Sequence, residues 1–162
     1  MHNPTQYFTR SLTNLSKILT KAEAYAEAKK LKPEVIPQLR LIADMLPFWR
    51  QITIACDHAK GASARLAGLP VPSFEDNETT LAELIARIGK TVDFLATIPA
   101  EAYEGAEDRE ISLRVGGRDL TMAALGYYHG YAVPNFYFHM TTAYNILRAN
   151  GVDVGKGDFI GG

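Results

Sequence analysis

Imidazole is the side chain best suited to hold a divalent ion or to move a proton near neutral pH. The chain carries four, at His2, His58, His129 and His139. Two of them stand where a site can be built. His58 lies between Ala55 and Ala62, at the flank of an apolar helical stripe. His139 holds the same kind of position beside Phe136, Met140 and Ala143 in a later stripe, with Asn135 one helical turn before it. Imidazoles that flank core stripes on two helices can meet on one interior face of a bundle, and an open position for water would make that face a reactive metal site. The same pattern fits two histidines at the core edge, each hydrogen-bonded to a tyrosine or a carbonyl and performing no chemistry. The residues alone leave both readings open. In either case His58, Asn135 and His139 are expected within one side-chain length of each other, because Ala55, Ala59 and Ala62 leave room opposite.

The neighbouring polar residues read more plainly. His2 is expected to be a mobile terminal residue, and His129 would join the site only if Pro134 turned it inward. Asp57 falls opposite its helix's stripe and reads as a solvated or partner-facing carboxylate. Arg65 lies near the His58 side and fits a surface ion pair or the binding of an anionic group. Cys56, the single cysteine, is flanked by apolar residues and reads as buried and inert. Tyr127, Tyr128, Tyr131, Tyr137 and Tyr144 cannot all be core without partners for their hydroxyls, so they line a polar-tipped pocket or a subunit interface.

The elements that position these residues can be read from periodicity. A first helix begins near Thr5 with Phe8, Leu12, Leu15, Leu19, Ala22 and Ala26 as its seam, and Pro33 and Pro37 mark the connection after it. A second is expected from an Asp44 cap, with Pro47 in its first turn and Met45, Phe48, Ile52, Ala55, Ala59, Ala62 and Leu66 buried, ending at Gly68. A third starts at a Thr80–Glu83 capping box and buries Leu81, Ile85, Ile88, Val92 and Leu95 before Pro99. The alternation of Ile111, Leu113 and Val115 before Gly116-Gly117 predicts a short hairpin. The last helix is expected from a Thr121 cap to Asn150-Gly151, broken or kinked at Pro134. The expected fold is all-α: an antiparallel four-helix bundle with a short β-hairpin between the third and fourth helices. The glycine-rich tail from Val152 is too short to fold alone, with Phe159 and Ile160 free to tuck against the body or a partner.

Composition bounds the function. The 162 residues suit one domain spanning 1–162, with 47% hydrophobic and 22% charged residues. A net charge of −1 supplies no attraction to nucleic acid or to an anionic membrane. A lone cysteine, no apolar run near the ~20 residues that span a bilayer and no apolar signal core in MHNPTQYFTRSL together predict a soluble cytoplasmic protein. Phosphate-loop, dinucleotide-binding, zincin and C-x-x-C motifs are absent, as are serine-hydrolase motifs and paired carboxylates on an apolar helix face.

The run PNFYFHMTTAYNILRANGVDVGKGDFIG, together with DHAKGASARLAG and LAELIARIGKT, resembles a family of uncharacterised bacterial proteins within the DinB/YfiT-like superfamily of metal-dependent four-helix bundles. The resemblance covers nearly the whole chain in order. Metal-binding members of that superfamily use one histidine from the second helix and two, four residues apart, from the last. The resemblance therefore implies His58 and His139 as ligands of zinc, nickel or iron, and places Asn135 at the remaining position. Asn135 departs from the pattern, since a neutral amide oxygen is a poorer ligand for such ions than imidazole. The resemblance further implies a homodimer and metal-assisted transferase or hydrolase chemistry on a small molecule. The alternative is a non-catalytic dimeric binding or structural protein without a metal.

Overall fold

The computed structural model describes residues 3–162; His2 lies outside them. Four long helices carry the core: α1 (Thr5–Ala28), α3 (Phe48–Leu66), α4 (Leu81–Ala96) and α6 (Val133–Ala149). Three short ones, α2 (Val35–Gln38), α5 (Ala124–Tyr127) and α7 (Lys156–Ile160), bring the described residues to seven α-helices, so the fold is all-α but not a plain four-helix bundle. The short helices arise where proline or glycine cuts the chain too early for a long one. α2 sits between Pro33 and the extended Leu39, and α7 is bounded by Gly155 and the left-handed Gly161. No helix among the described residues is long and apolar enough to cross a membrane.

The seam of α1 is as its spacing dictates. Phe8, Leu12, Leu15, Leu19 and Ala22 are fully buried, Ile18 joins them, and Ala26 is half-buried. α1 packs chiefly against α4, and α3 chiefly against α6. Ala55, Ala59 and Ala62 have no exposed surface, which lets α6 approach α3 closely through Phe136, Met140, Ala143 and Leu147. A leucine-to-alanine change in such a core costs about 2–5 kcal/mol, so each of these positions is a large fraction of the net stability.

Two helix starts differ from the sequence reading. α3 begins at Phe48 behind an extended Pro47, not at Asp44, which is exposed. Proline pushes the residue before it out of the helical region, so Leu46 cannot carry a helix running down from Asp44. Thr121 does not cap the last helix either. It belongs to strand β2 (Arg118–Ala123), paired antiparallel with β1 (Glu110–Val115), and its hydroxyl lies 3.0 Å from that of Ser112. The turn is the expected Gly116-Gly117, both at positive φ (56° and 81°), joining Val115 to its partner Arg118. The capping box at α4 is present: Glu83 N–H donates to Thr80 Oγ1 at 3.2 Å, and Thr80 N–H donates to Glu83 Oε2 at 2.9 Å.

Pro134 neither breaks the chain nor ends a helix. α5 runs into a π-helical turn at Tyr128–Ala132 and then directly into α6. A proline ring collides with the carbonyl one turn back and supplies no N–H; the wider π turn just before it absorbs both effects. From the first turn of α6 the Asn135 side-chain amide donates back to the Tyr131 carbonyl of that π turn at 2.7 Å.

The tail is folded onto the body. α7 packs on α1, where Asn14 Nδ2 donates to the Phe159 carbonyl (3.3 Å), Arg10 donates to the Ile160 carbonyl (2.8 Å) and Lys21 pairs with Asp158 (2.7 Å). Phe159 meets the edge of Tyr144 at 5.8 Å.

Candidate functional site

His58 comes from the middle of α3 and His139 from the first half of α6, the two helices brought closest by the small residues between them. Their rings lie nearly parallel, with an interplanar angle of 16° and centroids 6.0 Å apart. Both side chains are partly buried. Burial lowers the affinity of each ring for a proton. For His58 the proximity of His139 and the positive charge of Arg65 add to that effect against the opposing Asp57, and its pKa falls to about 4. The pKa of His139 is also lowered, by burial first and then by Arg50. Two neutral imidazoles therefore face one another at pH 7, the protonation state that metal coordination requires.

One hydrogen bond fixes the tautomer of His139. Gln51, fully buried on α3, donates from Nε2 to the Leu46 carbonyl at 2.9 Å, and this aims its Oε1 at His139 Nδ1, 2.7 Å away. An amide oxygen can only accept, so Nδ1 carries the proton and Nε2 keeps its lone pair. Holding an imidazole through one nitrogen so that the other is free is the arrangement found around metal-ligating histidines. Sequence reasoning passed over Gln51. Its signal was available: it stands two helical turns before His58 on the same side of α3, a polar residue bordering an apolar stripe.

Asn135 is half-buried, and its amide nitrogen is committed to the Tyr131 carbonyl, which leaves its side-chain oxygen as the free end. His129 is exposed and meets only the edge of Tyr128, at 4.9 Å, so the Pro134 region does not turn it inward. The tyrosines divide. Tyr127 and Tyr128 are buried, Tyr131 packs its edge on His58 at 5.7 Å and stacks on Tyr127 at 5.9 Å, Tyr137 is exposed with its hydroxyl 3.2 Å from that of Ser11, and Tyr144 donates to the Val154 carbonyl at 3.4 Å. Cys56 is fully buried and its thiol is pushed up to about 12, chiefly by burial, so it is no nucleophile at neutral pH.

Asp57 is solvated as its sequence reading has it, with 40% of its side chain exposed, and is also paired with Lys60 (2.8 Å) and with Arg87 Nη2 (3.1 Å). Arg87, on α4, is nearly fully buried and also binds Asp76 (3.1 Å), Glu78 (2.9 Å) and the Glu75 carbonyl (2.7 Å). These contacts pin the loop between α3 and α4 over the Phe74 ring, which Lys60, Arg87 and Lys90 approach at 5.1, 5.2 and 4.2 Å. Among the described residues no three His, Cys, Asp or Glu side chains are grouped to hold a metal ion. Any ion at the histidine pair would have two protein imidazoles and no third ligand of those types.

The match to a family model over nearly the whole chain and the likeness to a solved DinB family member define a class, the DinB/YfiT-like proteins, and the chain is a member of it. Within that class it belongs to the family described as a domain of unknown function, DUF1993, whose model matches residues 3–160. Its structure is similar to the crystal structure of a DinB family member protein from Shewanella denitrificans, with a TM-score of 0.89 and 43% identity over 98% of this chain and 89% of the other. No curated protein matches the chain.

Proposed function

We propose that the chain is a divalent-ion-binding protein acting on a small molecule by transferase- or hydrolase-type chemistry, with His58 and His139 as the ion's ligands. The observation that carries this reading is the His139 ring, held through Nδ1 by a buried glutamine so that Nε2 is left as a lone pair beside a second neutral imidazole. Metal–nitrogen bonds run to about 2.0–2.1 Å and lie in the plane of the ring, so the two nearly parallel rings, with centroids 6.0 Å apart, would turn about their side-chain bonds to share one ion. Zinc, nickel and iron all accept imidazole. A bound ion would supply Lewis acidity to a substrate oxygen. Asn135, with its nitrogen tied back to Tyr131, offers its oxygen to orient a water or ligand proton. Protein purified without a histidine tag is expected to carry near-stoichiometric zinc, nickel or iron, and His139→Ala to abolish it. Metal-free protein that stays folded and takes up none of these ions would defeat the reading.

A second reading rests on the absence, among the described residues, of a third ligand of the usual kinds. In it the histidines form a hydrogen-bonded core-edge network in a dimeric binding protein of the cytoplasm. Both readings share a homodimer, supported by Phe138 and Tyr137 on α6, which are 56% and 37% exposed. Sedimentation at micromolar concentration tests it, and a monomer alone would exclude it.

A further inference from the structure

Arg65 stands two turns beyond His58 on α3, and its surroundings are unlike those of the other cations on that helix. Arg50 is paired with Asp76, and Lys60 with Asp57. Arg65 has no carboxylate partner among the described residues. Its one hydrogen bond is a donation from Nη1 to the hydroxyl of Tyr127 at 3.3 Å. Of the five N–H donors of a guanidinium, one is used.

The position of the guanidinium is built into the helix. Long helical side chains lean back over the turn that precedes them, and here that turn presents Gly61. A Cβ at Gly61 would come within 2.6 Å of Arg65 Nη1, so glycine is what lets the guanidinium lie along α3 toward His58. On its other side, buried Tyr127 stacks on Tyr131 at 5.9 Å, and Tyr131 lies 5.7 Å from His58, itself 6.0 Å from His139. One continuous row of side chains thus runs from an uncompensated positive charge to the imidazole pair.

We propose that Arg65, with the Tyr127 hydroxyl, is the anion-binding end of this face, and that its ligand is a small molecule bearing a carboxylate or phosphate group whose remainder extends toward His58 and His139. A guanidinium fork matches the paired oxygens of either group. The inference rests on the reading that this face takes a small molecule, but it needs no ion to be present.

Metal-free protein, titrated at constant ionic strength with inorganic phosphate in one arm and acetate in another, tests it. The readouts are the side-chain N–H signal of Arg65 and the ring signals of Tyr127 by nuclear magnetic resonance. A saturable shift in the Arg65 signal is expected in at least one arm, and the arm that binds more tightly names the group. Arg65→Gln, followed at Tyr127, is expected to weaken that binding at least tenfold, and Gly61→Ala to weaken it while keeping the guanidinium in the chain. A linear drift without saturation in both arms would overturn the proposal, as would equal affinity in Arg65→Gln. If Arg65 only braces Tyr127, the substitution will lower the melting temperature without any saturable anion binding to lose. Arg65→Gln that keeps the native metal content but loses phosphate or acetate binding separates this inference from the ion-binding reading. Metal-free His139→Ala that still binds the anion upholds the inference even where that reading fails.

Discussion

Two polar regions beside α3 lie within a few turns of each other and use their charges in opposite ways. Around Arg87 the charges are consumed internally. Both terminal nitrogens of a nearly fully buried guanidinium are taken up by three carboxylates and a carbonyl, and two further cations crowd the same phenyl ring. Around His58 the groups are left open: a lone pair on His139 Nε2, an amide oxygen on Asn135 and a guanidinium with one hydrogen bond. The first region spends its terminal nitrogens on holding a loop in place, and the atoms it leaves without a partner, Arg87 Nε and Glu78 Oε2, are buried. The second is held in position by its neighbours yet keeps its reactive atoms free, which is the division expected between structure and site.

The largest effect expected is at Arg87. Replacing it with Met strands Glu78, whose side chain is 8% exposed, while Asp76 and Asp57 keep Arg50 and Lys60, and breaking such a buried pair costs about 3–5 kcal/mol. A urea midpoint that barely moved would erase the contrast drawn above. His58→Ala, in the open region, is expected to cost about 1 kcal/mol or less by the same measurement.

Next is the pH dependence of the metal-free protein. His58 titrates near 6.5 when unfolded and at about 4 when folded, so between those values the unfolded chain binds more protons. Stability should be fully present above pH 6.5 and decline as the pH falls toward 4, with Asp57 opposing and His139 and Arg65 reinforcing the depression. The His58→Ala chain should show a shallower decline over that window; identical slopes would mean that other groups govern it.

Gln51→Leu should sharpen the comparison at smaller cost. It frees the His139 tautomer, and losing such an orienting partner typically weakens metal affinity by about 10–100-fold. Calorimetric titration with zinc would register it; unchanged affinity would show that Gln51 orients nothing. The smallest expected effect is that of Phe138→Ser, at a position 56% exposed: about 0.5 kcal/mol or less in stability, read beside a shift toward monomer in sedimentation.

Much of the frame was legible because it depends on repetition. Phe8 to Ala22, the Thr80–Glu83 box and the two glycines of the hairpin each announce themselves within a few residues, and the structure places them as read. His58 and His139 were legible as candidates for the same reason, each flanking a stripe. What was hidden depends on distant partners. Arg87 looks like any helix-surface arginine until Asp57 from α3, and Asp76 and Glu78 from the loop that follows it, converge on it. Tyr103 lies in an acidic stretch, yet it is fully buried with its hydroxyl donating to the Ser63 carbonyl at 3.2 Å. Thr121 misled because a strand residue and a helix cap share a side-chain type, and strand pairing supplied more hydrogen bonds than a cap would.

The π turn before Pro134 carries a consequence of angle. Tyr127, Tyr131, Asn135 and His139 recur every four residues, whereas an α-helix turns about 100° per residue, so a strict step of four drifts roughly 40° each time. Over three steps that drift would carry Tyr127 well away from the side of His139. A wider turn between them runs the drift backward, and it keeps the upstream tyrosines on the α3 side, where Arg65 and His58 meet them. Deleting a single residue from Tyr128–Ala132 would leave an ordinary helix of better hydrogen bonding. It would leave Tyr127 eleven residues from His139, about 20° off in an α-helix, whereas straightening the turn with every residue kept would put it about 120° off, so the irregular turn acts as a one-residue phase correction that holds the two halves of the site on one face.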